Sequence, residues 1–266
     1  MGIYSMAGKT ISRYRVLGPL RSEKYPSDYR AVDIKSGRSA ALKFLPRHWA
    51  RYAQLAIPIH DPHLCTIYEV GEYEHLRFIA TELLEGETVS DRLCRGLMSL
   101  DLILTIVADA AEGLAAAHAC KLIHSDIRPS NIFIMRNGTA KILGLGLASG
   151  PVHPRHIDAL ELPYIGALES YLYMSPEQII PQQKQDLRID LFSLGVTFYE
   201  MVTGRNPFLA GSIEAIIDSV LHKQPTLPTP MLANVFDKSL AKDPDARYQS
   251  ALEMAADLKR LRLSIG

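Results

Sequence analysis

The side chains best suited to chemistry lie in one polar loop. The loop reads His124-Ser125-Asp126-Ile127-Arg128-Pro129-Ser130-Asn131, with one carboxylate at Asp126 and one amide at Asn131. It follows a long apolar stretch and precedes a short hairpin that turns at Asn137-Gly138, a strong hairpin signal. Polar residues on a loop held by a rigid scaffold are typical of a catalytic or binding site. We therefore take this loop as the candidate site.

Composition sets the size and class of the protein. The chain has 266 residues, of which 47% are hydrophobic and 22% charged, as expected for one large globular domain or two lobes that share a core. Lys plus Arg and Asp plus Glu both total 29. No overall field then favours nucleic acid or an anionic membrane, so we expect no nucleic-acid partner.

The cysteines and the N-terminus bear on location. Three widely spaced cysteines with no C-x-x-C pair indicate neither a disulfide framework nor a zinc ribbon: Cys65, Cys94 and Cys120. The N-terminus lacks a basic segment followed by an apolar one, which argues against a signal peptide. The most apolar window, 97–117, contains three acidic residues, which argues against a membrane span. We predict a cytoplasmic protein with no membrane segment.

The first third of the chain has the patterns of a small sheet. Five short alternating or β-rich runs are separated by turns: 14–20, 28–33, 40–45, 65–73 and 78–82. One helical insertion, 47–57, lies between Pro46 and Pro58 and has room for about three turns. These elements predict a five-stranded antiparallel lobe with one short helix.

The rest of the chain is mainly helical. Apolar residues at helical spacing form one stripe over 102–117, and two short strands follow at 132–135 and 140–143. An irregular segment, 145–176, has the length of a functional or mobile loop. The almost wholly apolar run 191–202 predicts a central buried helix. Three further helices are predicted: 212–222, 231–240 and 250–263.

Together these motifs resemble a protein kinase, most closely a bacterial Ser/Thr kinase of the eukaryotic type. The match rests on Lys43 after Ala-Ala-Leu on the third strand and on His124-x-Asp126-x-x-x-x-Asn131 in the loop. It continues through Met174-Ser175-Pro176-Glu177, through Asp190 at the start of the buried helix, and through Arg247, which pairs with Glu177 in such kinases. The resemblance implies an α+β, bilobal fold: a small five-stranded sheet lobe and a larger, mainly helical lobe.

The resemblance also implies a domain plan and roles for residues. Residues 1–266 form a single kinase-like domain, with an N-terminal extension at 1–13, an N-lobe at 14–81, a hinge at 82–88 and a C-lobe at 89–266. Thr81 lies at the back of the cleft, and the hinge, with Glu82 and Leu84, is where a planar heterocycle would bind. Asp126 corresponds to the catalytic base, Asn131 to a metal position and Lys43 to the strand lysine.

The phosphate-binding turn departs from the family. Kinases carry a Gly-rich turn here because glycine lets backbone N–H groups close over phosphates. In this chain all three glycines are absent from 21–28, where Arg21 and Glu23 stand, Pro26 lacks an N–H donor, and Asp28 replaces an apolar residue expected to pack on adenine. These changes argue against ordinary nucleotide binding.

Two further departures concern charge. The glutamate that orients the strand lysine is missing, since 44–60 contains no acidic residue and Tyr52 occupies its place. We therefore expect Lys43 to extend its stem along the surface to solvent. Gly144 stands where kinases have the Mg²⁺-binding aspartate of Asp-Phe-Gly, and Mg²⁺ requires hard carboxylate oxygens. Asn131 alone does not replace that charge.

These losses change the expected role of the loop. With neither metal ligand nor phosphate cradle, we favour Asp126 as a carboxylate that holds the loop backbone rather than as a base. Ser125 replaces the arginine that docks a phosphorylated activation segment in related kinases, so we expect that mode of activation to be absent.

Histidine motifs elsewhere are weaker. His60-x-x-His63 with Cys65, and His153-x-x-His156 with Asp158, do not supply four ligands at a recognised spacing. We interpret them as loop histidines and predict no metal site.

The sequence therefore favours a pseudokinase: an inactive kinase fold that binds ATP and Mg²⁺ weakly or not at all and serves as a protein-interaction or regulatory module. Its partner would be an active kinase or a signalling complex, engaged through the sheet lobe or the groove beside 212–222. One alternative is a divergent Ser/Thr kinase with unusual phosphate and metal handling, which uses Asp126 and Lys43. The other is a sensor whose cleft holds a different ligand.

Overall fold

The computed structural model describes residues 6–20, 28–46, 52–147, 169–226 and 228–265. In this part of the chain the first lobe is a six-stranded antiparallel sheet with strand order β1-β2-β3-β4-β6-β5. Its strands are β1 (Thr10–Ile11), β2 (Tyr14–Pro19), β3 (Asp28–Asp33), β4 (Ser39–Pro46), β5 (Ile67–Tyr73) and β6 (Leu76–Glu82).

Alternating burial explains why these residues form a sheet. In β2, Tyr14 and Val16 are buried while Arg15 and Leu17 are exposed, and in β3 Tyr29 and Ala31 are buried. This period of two places one face of each strand on a shared core. The predicted fold class is confirmed. The sixth strand, β1, escaped prediction because two residues are too short to show a pattern.

A second, three-stranded sheet joins the first lobe to the helices. It consists of β7 (Gly86–Thr88), β8 (Ile132–Met135) and β9 (Ala140–Ile142), in the order β7-β8-β9. The predicted hairpin corresponds to β8 and β9, whereas β7 was not predicted. Gly86 has φ +149° and its Cα faces the Ile134 carbonyl, which a Cβ would overlap. Only glycine therefore allows this pairing.

Eight α-helices lie in the described ranges, and none is both long and apolar enough to cross a membrane. They are α1 (Ala53–Ala56), α2 (Val89–Leu93), α3 (Leu100–Ala119), α4 (Pro176–Ile179), α5 (Arg188–Thr203), α6 (Ile213–His222), α7 (Ala233–Ser239) and α8 (Ala251–Ile265). The predicted buried helix is α5, which ends at Gly204 with φ +72°. Of the predicted insertion 47–57, residues 47–51 lie outside the described ranges.

One buried ion pair fastens the end of the 169–179 segment to the C-terminal region. Arg247 Nη1 donates to Glu177 Oε1 at 2.6 Å and Nη2 donates to Oε2 at 2.9 Å. The Arg247 side chain has 0% exposure and that of Glu177 has 2%. Arg247 also donates to the carbonyls of Ala241 and Lys242. A bidentate ion pair and additional carbonyl acceptors together offset the desolvation cost of a buried guanidinium.

Arg247→Ala is expected to destabilise the protein by about 3–5 kcal/mol, because it leaves the buried Glu177 carboxylate without a partner. The measurement is urea unfolding followed by circular dichroism. The control is Arg136→Ala, whose exposed pair with Glu85 is expected to contribute less than about 1 kcal/mol. Equal effects of the two substitutions would contradict the assigned importance of the buried pair.

Candidate active site

A carboxylate on α5 binds the backbone at the start of the polar loop. Asp190 is fully buried and accepts the backbone N–H groups of His124 at 2.8 Å and Ser125 at 2.7 Å. His118 Nε2 lies 2.8 Å from the same carboxylate. Several N–H donors offset the free-energy cost of burying a carboxylate. Asp190 thus fixes the start of the loop, where Ser125 has the left-handed φ of +65°.

Asp126 and Asn131 contact each other across the loop. Asn131 Nδ2 donates to both the backbone oxygen and Oδ2 of Asp126, each at 2.8 Å. The Asp126 side chain keeps 39% exposure, so its carboxylate is oriented by the amide and also reaches solvent. This arrangement can present a carboxylate oxygen to a hydroxyl group.

Arg128 is a site residue that sequence reasoning did not single out. Its Nε lies 3.4 Å from Asp126 Oδ1, and Nη1 lies 3.9 Å from Glu169 Oε2. The buried Nε has no hydrogen-bond partner within the described part of the chain. The signal was present in the sequence, since Arg128 is the cation nearest to Asp126, two positions away. It brings positive charge beside the candidate base.

The glycines after β9 form an open turn and a close contact. Gly144 has φ +83°, and a Cβ placed on it would lie 3.7 Å from Leu147 Cδ1 and 4.0 Å from Asn131 Oδ1. Gly146 has φ +75°, and a Cβ there would lie 2.7 Å from the Ala53 backbone. The turn therefore needs glycine at 146 for packing on α1. At 144 there is space for a Cβ beside Asn131, and the left-handed φ is what favours glycine there.

Lys43 has a carboxylate partner that the sequence did not suggest. Asp28 and Lys43 are register partners on β3 and β4, and Lys43 Nζ lies 3.2 Å from Asp28 Oδ2. The side chains of Lys43 and Asp28 are 41% and 39% exposed, so the pair lies at the surface. Tyr52, which takes the place of the missing glutamate, is 39% exposed at the start of α1.

The hinge side chains are engaged within the protein. Glu82 Oε1 accepts Lys141 Nζ at 2.7 Å and the Thr66 N–H at 2.8 Å. Thr81 Oγ1 donates to the Glu82 carbonyl at 3.3 Å. Because the Glu82 carboxylate already accepts two hydrogen bonds, a ligand at 82–84 would be held by backbone groups, and Leu84 is partly exposed there.

The Cys65 thiol lies near Glu82. Burial and the Glu82 carboxylate raise the pKa of this thiol to about 12.

The segment before α4 is tied to the loop and to α5. Gln178 Nε2 donates to the Ser125 carbonyl at 3.3 Å, and Tyr173 Oη donates to Glu200 Oε2 at 2.6 Å. Burial raises the pKa of both Tyr173 and Glu200. The Gln178 bond holds the end of this segment against Ser125, the residue before Asp126, and the Tyr173 bond ties the segment to α5.

Some predicted positions fall outside the described residues. They are Arg21, Glu23 and Pro26 of the phosphate-binding turn, and His153, His156 and Asp158 of the second histidine motif.

The fold and the loop geometry together define a protein kinase domain. A family model described as the protein kinase domain matches residues 25–257, and the chain belongs to this family. Serine/threonine-protein kinase PknB of Mycolicibacterium smegmatis is 33% identical over 253 residues, which cover 87% of this chain and 40% of that protein.

Two further bacterial relatives agree. Serine/threonine-protein kinase PrkC of Bacillus subtilis is 30% identical over 278 residues, covering 96% of this chain and 41% of PrkC. Serine/threonine-protein kinase PknL of Mycobacterium tuberculosis is 30% identical over 269 residues, covering 94% of this chain and 66% of PknL. The chain thus spans about two fifths of the length of PknB and PrkC.

These comparisons overturn the prediction of an inactive pseudokinase. The relatives are named Ser/Thr kinases, and the family model spans the whole site, from before Lys43 to beyond Arg247. The prediction that ATP and Mg²⁺ are not used is wrong for the same reason, since protein kinases use both. A carboxylate does reach Lys43, from Asp28 on the neighbouring strand.

The residues present fit a magnesium nucleotide. Mg²⁺ keeps several waters and is commonly held by one or two carboxylates together with substrate phosphates. Asn131 supplies one amide oxygen, the open turn at Gly144 leaves space beside that oxygen, and the Asp126 carboxylate adds negative charge next to it. Lys43 and Arg128 supply positive charge for phosphate groups. Asn131 is thus the residue that would contact the ion, and Asp126 stays available to accept a proton.

Proposed function

We propose that the chain is a divergent Ser/Thr protein kinase domain that transfers the terminal phosphoryl group of ATP to a hydroxyl group of a protein. The observation that carries this proposal is the Asp126–Asn131 arrangement, held on the buried Asp190 with Arg128 beside it. The named relatives support the same activity. A protein partner enters as the phosphate acceptor. The free thiols Cys65, Cys94 and Cys120 support a cytoplasmic location.

Each site residue then has a stated role. Asp126 accepts the proton of the substrate hydroxyl, while the Asn131 amide fixes its carboxylate in place. Arg128 stabilises negative charge on the transferred group, and Lys43, positioned by Asp28, binds phosphate oxygens. Mg²⁺, when bound, neutralises charge on the phosphates. The hinge backbone at 82–84 holds the base.

Asp126→Asn tests the activity directly. The amide cannot accept the proton, so we expect phosphate transfer from ATP to a Ser/Thr substrate to fall by about 10²- to 10⁴-fold. The assay follows radiolabelled phosphate on the purified protein with a generic protein substrate. Asp218→Asn is the control, because Asp218 is 78% exposed on α6. Absence of transfer by the unsubstituted protein, or equal rates in Asp126→Asn, would refute the proposal.

The Asp28–Lys43 pair gives a second prediction. Asp28→Asn is expected to raise the KM for ATP by about 2- to 5-fold. This factor corresponds to the small free energy that a partly exposed ion pair contributes. In a Lys43→Met background the same change should have almost no further effect, because Asp28 acts through Lys43.

Asp28→Glu serves as the matched control, since it keeps the carboxylate and should stay close to the unsubstituted KM. Independent, multiplying effects of Asp28→Asn and Lys43→Met would show that the two side chains do not act as a pair.

A further inference from the structure

Arg128 contacts a second carboxylate besides that of the candidate base. Its Nη1 lies 3.9 Å from Glu169 Oε2, while its Nε lies 3.4 Å from Asp126 Oδ1. The Glu169 side chain is 60% exposed, against 39% for Asp126 and 24% for Arg128. One guanidinium is thus shared by two carboxylates, and Glu169 is the more exposed of the two.

The backbone at Glu169 is fixed to the helical lobe. Residues 169–171 form a helical turn, and the Leu172 N–H donates to the Glu169 carbonyl at 3.3 Å. Just beyond this turn, the Tyr173 hydroxyl donates to Glu200 on α5. The Glu169 side chain is therefore presented to Arg128 by an anchored turn.

A second carboxylate in this region, that of Glu200, is already bound within the protein. It accepts the Tyr173 hydroxyl at 2.6 Å and is partly buried. Burial raises the pKa of Glu200, and the negative charge of Glu169 raises it further, so the two carboxylates lie close to each other. Because Glu200 is engaged and Glu169 is exposed, Glu169 is the carboxylate that a substrate side chain can pair with.

Glu169 and the transferred phosphoryl group require the same cation. In the proposed reaction Arg128 stabilises negative charge on that group. Asp126, Arg128 and Glu169 together carry a net charge of −1, so the Glu169 carboxylate repels an incoming phosphate and competes with it for Arg128 Nη1. A positive side chain on the substrate would neutralise Glu169 and leave Nη1 to the phosphoryl group.

Such a side chain is within reach of Glu169. Consecutive residues of an extended peptide advance by about 3.3–3.6 Å, so a long basic side chain a few positions from a hydroxyl at Asp126 spans the distance past Arg128. We propose that Glu169 is a specificity-determining residue that favours protein substrates with a Lys or Arg near the acceptor Ser or Thr. This inference rests on the proposed kinase activity and names the class of protein that it acts on.

A matched series of peptides tests the inference on the full chain. All peptides share one acceptor Ser, and each flanking position in turn carries Arg, Leu or Glu. We expect kcat/KM to be about 2- to 5-fold higher for the preferred Arg peptide than for its Leu counterpart, as for a partly exposed ion pair, and lowest for the Glu peptide.

Two substitutions of Glu169 isolate its charge. Glu169→Gln keeps the size of an exposed side chain and should remove most of the preference for Arg. Glu169→Lys should reverse the preference, so that the Glu peptide becomes the better substrate. Glu253→Gln is the control, because Glu253 is 41% exposed in an ion pair with Lys238 on another face, and it should keep the preference of the unsubstituted protein.

The outcomes separate this inference from the kinase activity itself. Transfer to all three peptides at equal rates, or an Arg preference that survives in both Glu169 variants, overturns the inference and leaves the kinase activity standing. So does a Glu169→Gln protein that is faster on every peptide by the same factor, since Glu169 would then only restrain Arg128. No transfer to any peptide refutes the kinase activity, and the inference with it.

Discussion

The site depends on the buried carboxylate of Asp190. This side chain has no exposed surface and accepts hydrogen bonds from the backbone of His124 and Ser125, while His118 contacts it from α3. An ionised group in this position would be costly without those donors. With them, the loop that carries Asp126 becomes part of the helical core. A central helix thus holds the start of this loop in place.

The charged groups around Lys43 and Asp126 differ from those of the usual kinase motifs. Lys43 takes its partner from the neighbouring strand through Asp28, and Arg128 supplies a cation next to Asp126. The usual carboxylate after β9 is replaced by Gly144, whose turn is open towards Asn131. The sum of these changes is a site with fewer carboxylates, in which phosphate groups and water would supply more of the ligands of a bound Mg²⁺. This explains how a kinase domain can depart from its motifs without losing every element of its chemistry.

Sequence patterns predicted the strands and helices well where the hydrophobic period was clear and the element was long. The alternation in β2 and β3, the apolar run of α5 and the hairpin at Asn137-Gly138 all lie where expected. Two short strands, β1 and β7, carry too few residues to show a period.

Contacts distant in sequence were beyond prediction. Asp28 and Lys43 meet only because of their register across β3 and β4, and His63 meets Asp109 and Glu112 only because α3 packs on its segment. Motif comparison asks whether a residue is present at its usual position. It does not reveal a carboxylate that arrives from another strand, and for this reason the sequence favoured an inactive protein.

The Mg²⁺ dependence of phosphate transfer, compared between the unsubstituted protein and Gly144→Asp, tests the account most directly. A Cβ at 144 would lie no closer than 3.7 Å to a neighbour, and Asp and Asn are the side chains that best tolerate the left-handed φ of +83° there, so both variants carry similar backbone strain and place their polar group beside Asn131. We expect Mg²⁺-dependent transfer in both proteins, with half-saturation at lower Mg²⁺ in Gly144→Asp and a smaller shift in Gly144→Asn. No Mg²⁺-dependent transfer in the unsubstituted protein, or identical Mg²⁺ curves for all three, would contradict it.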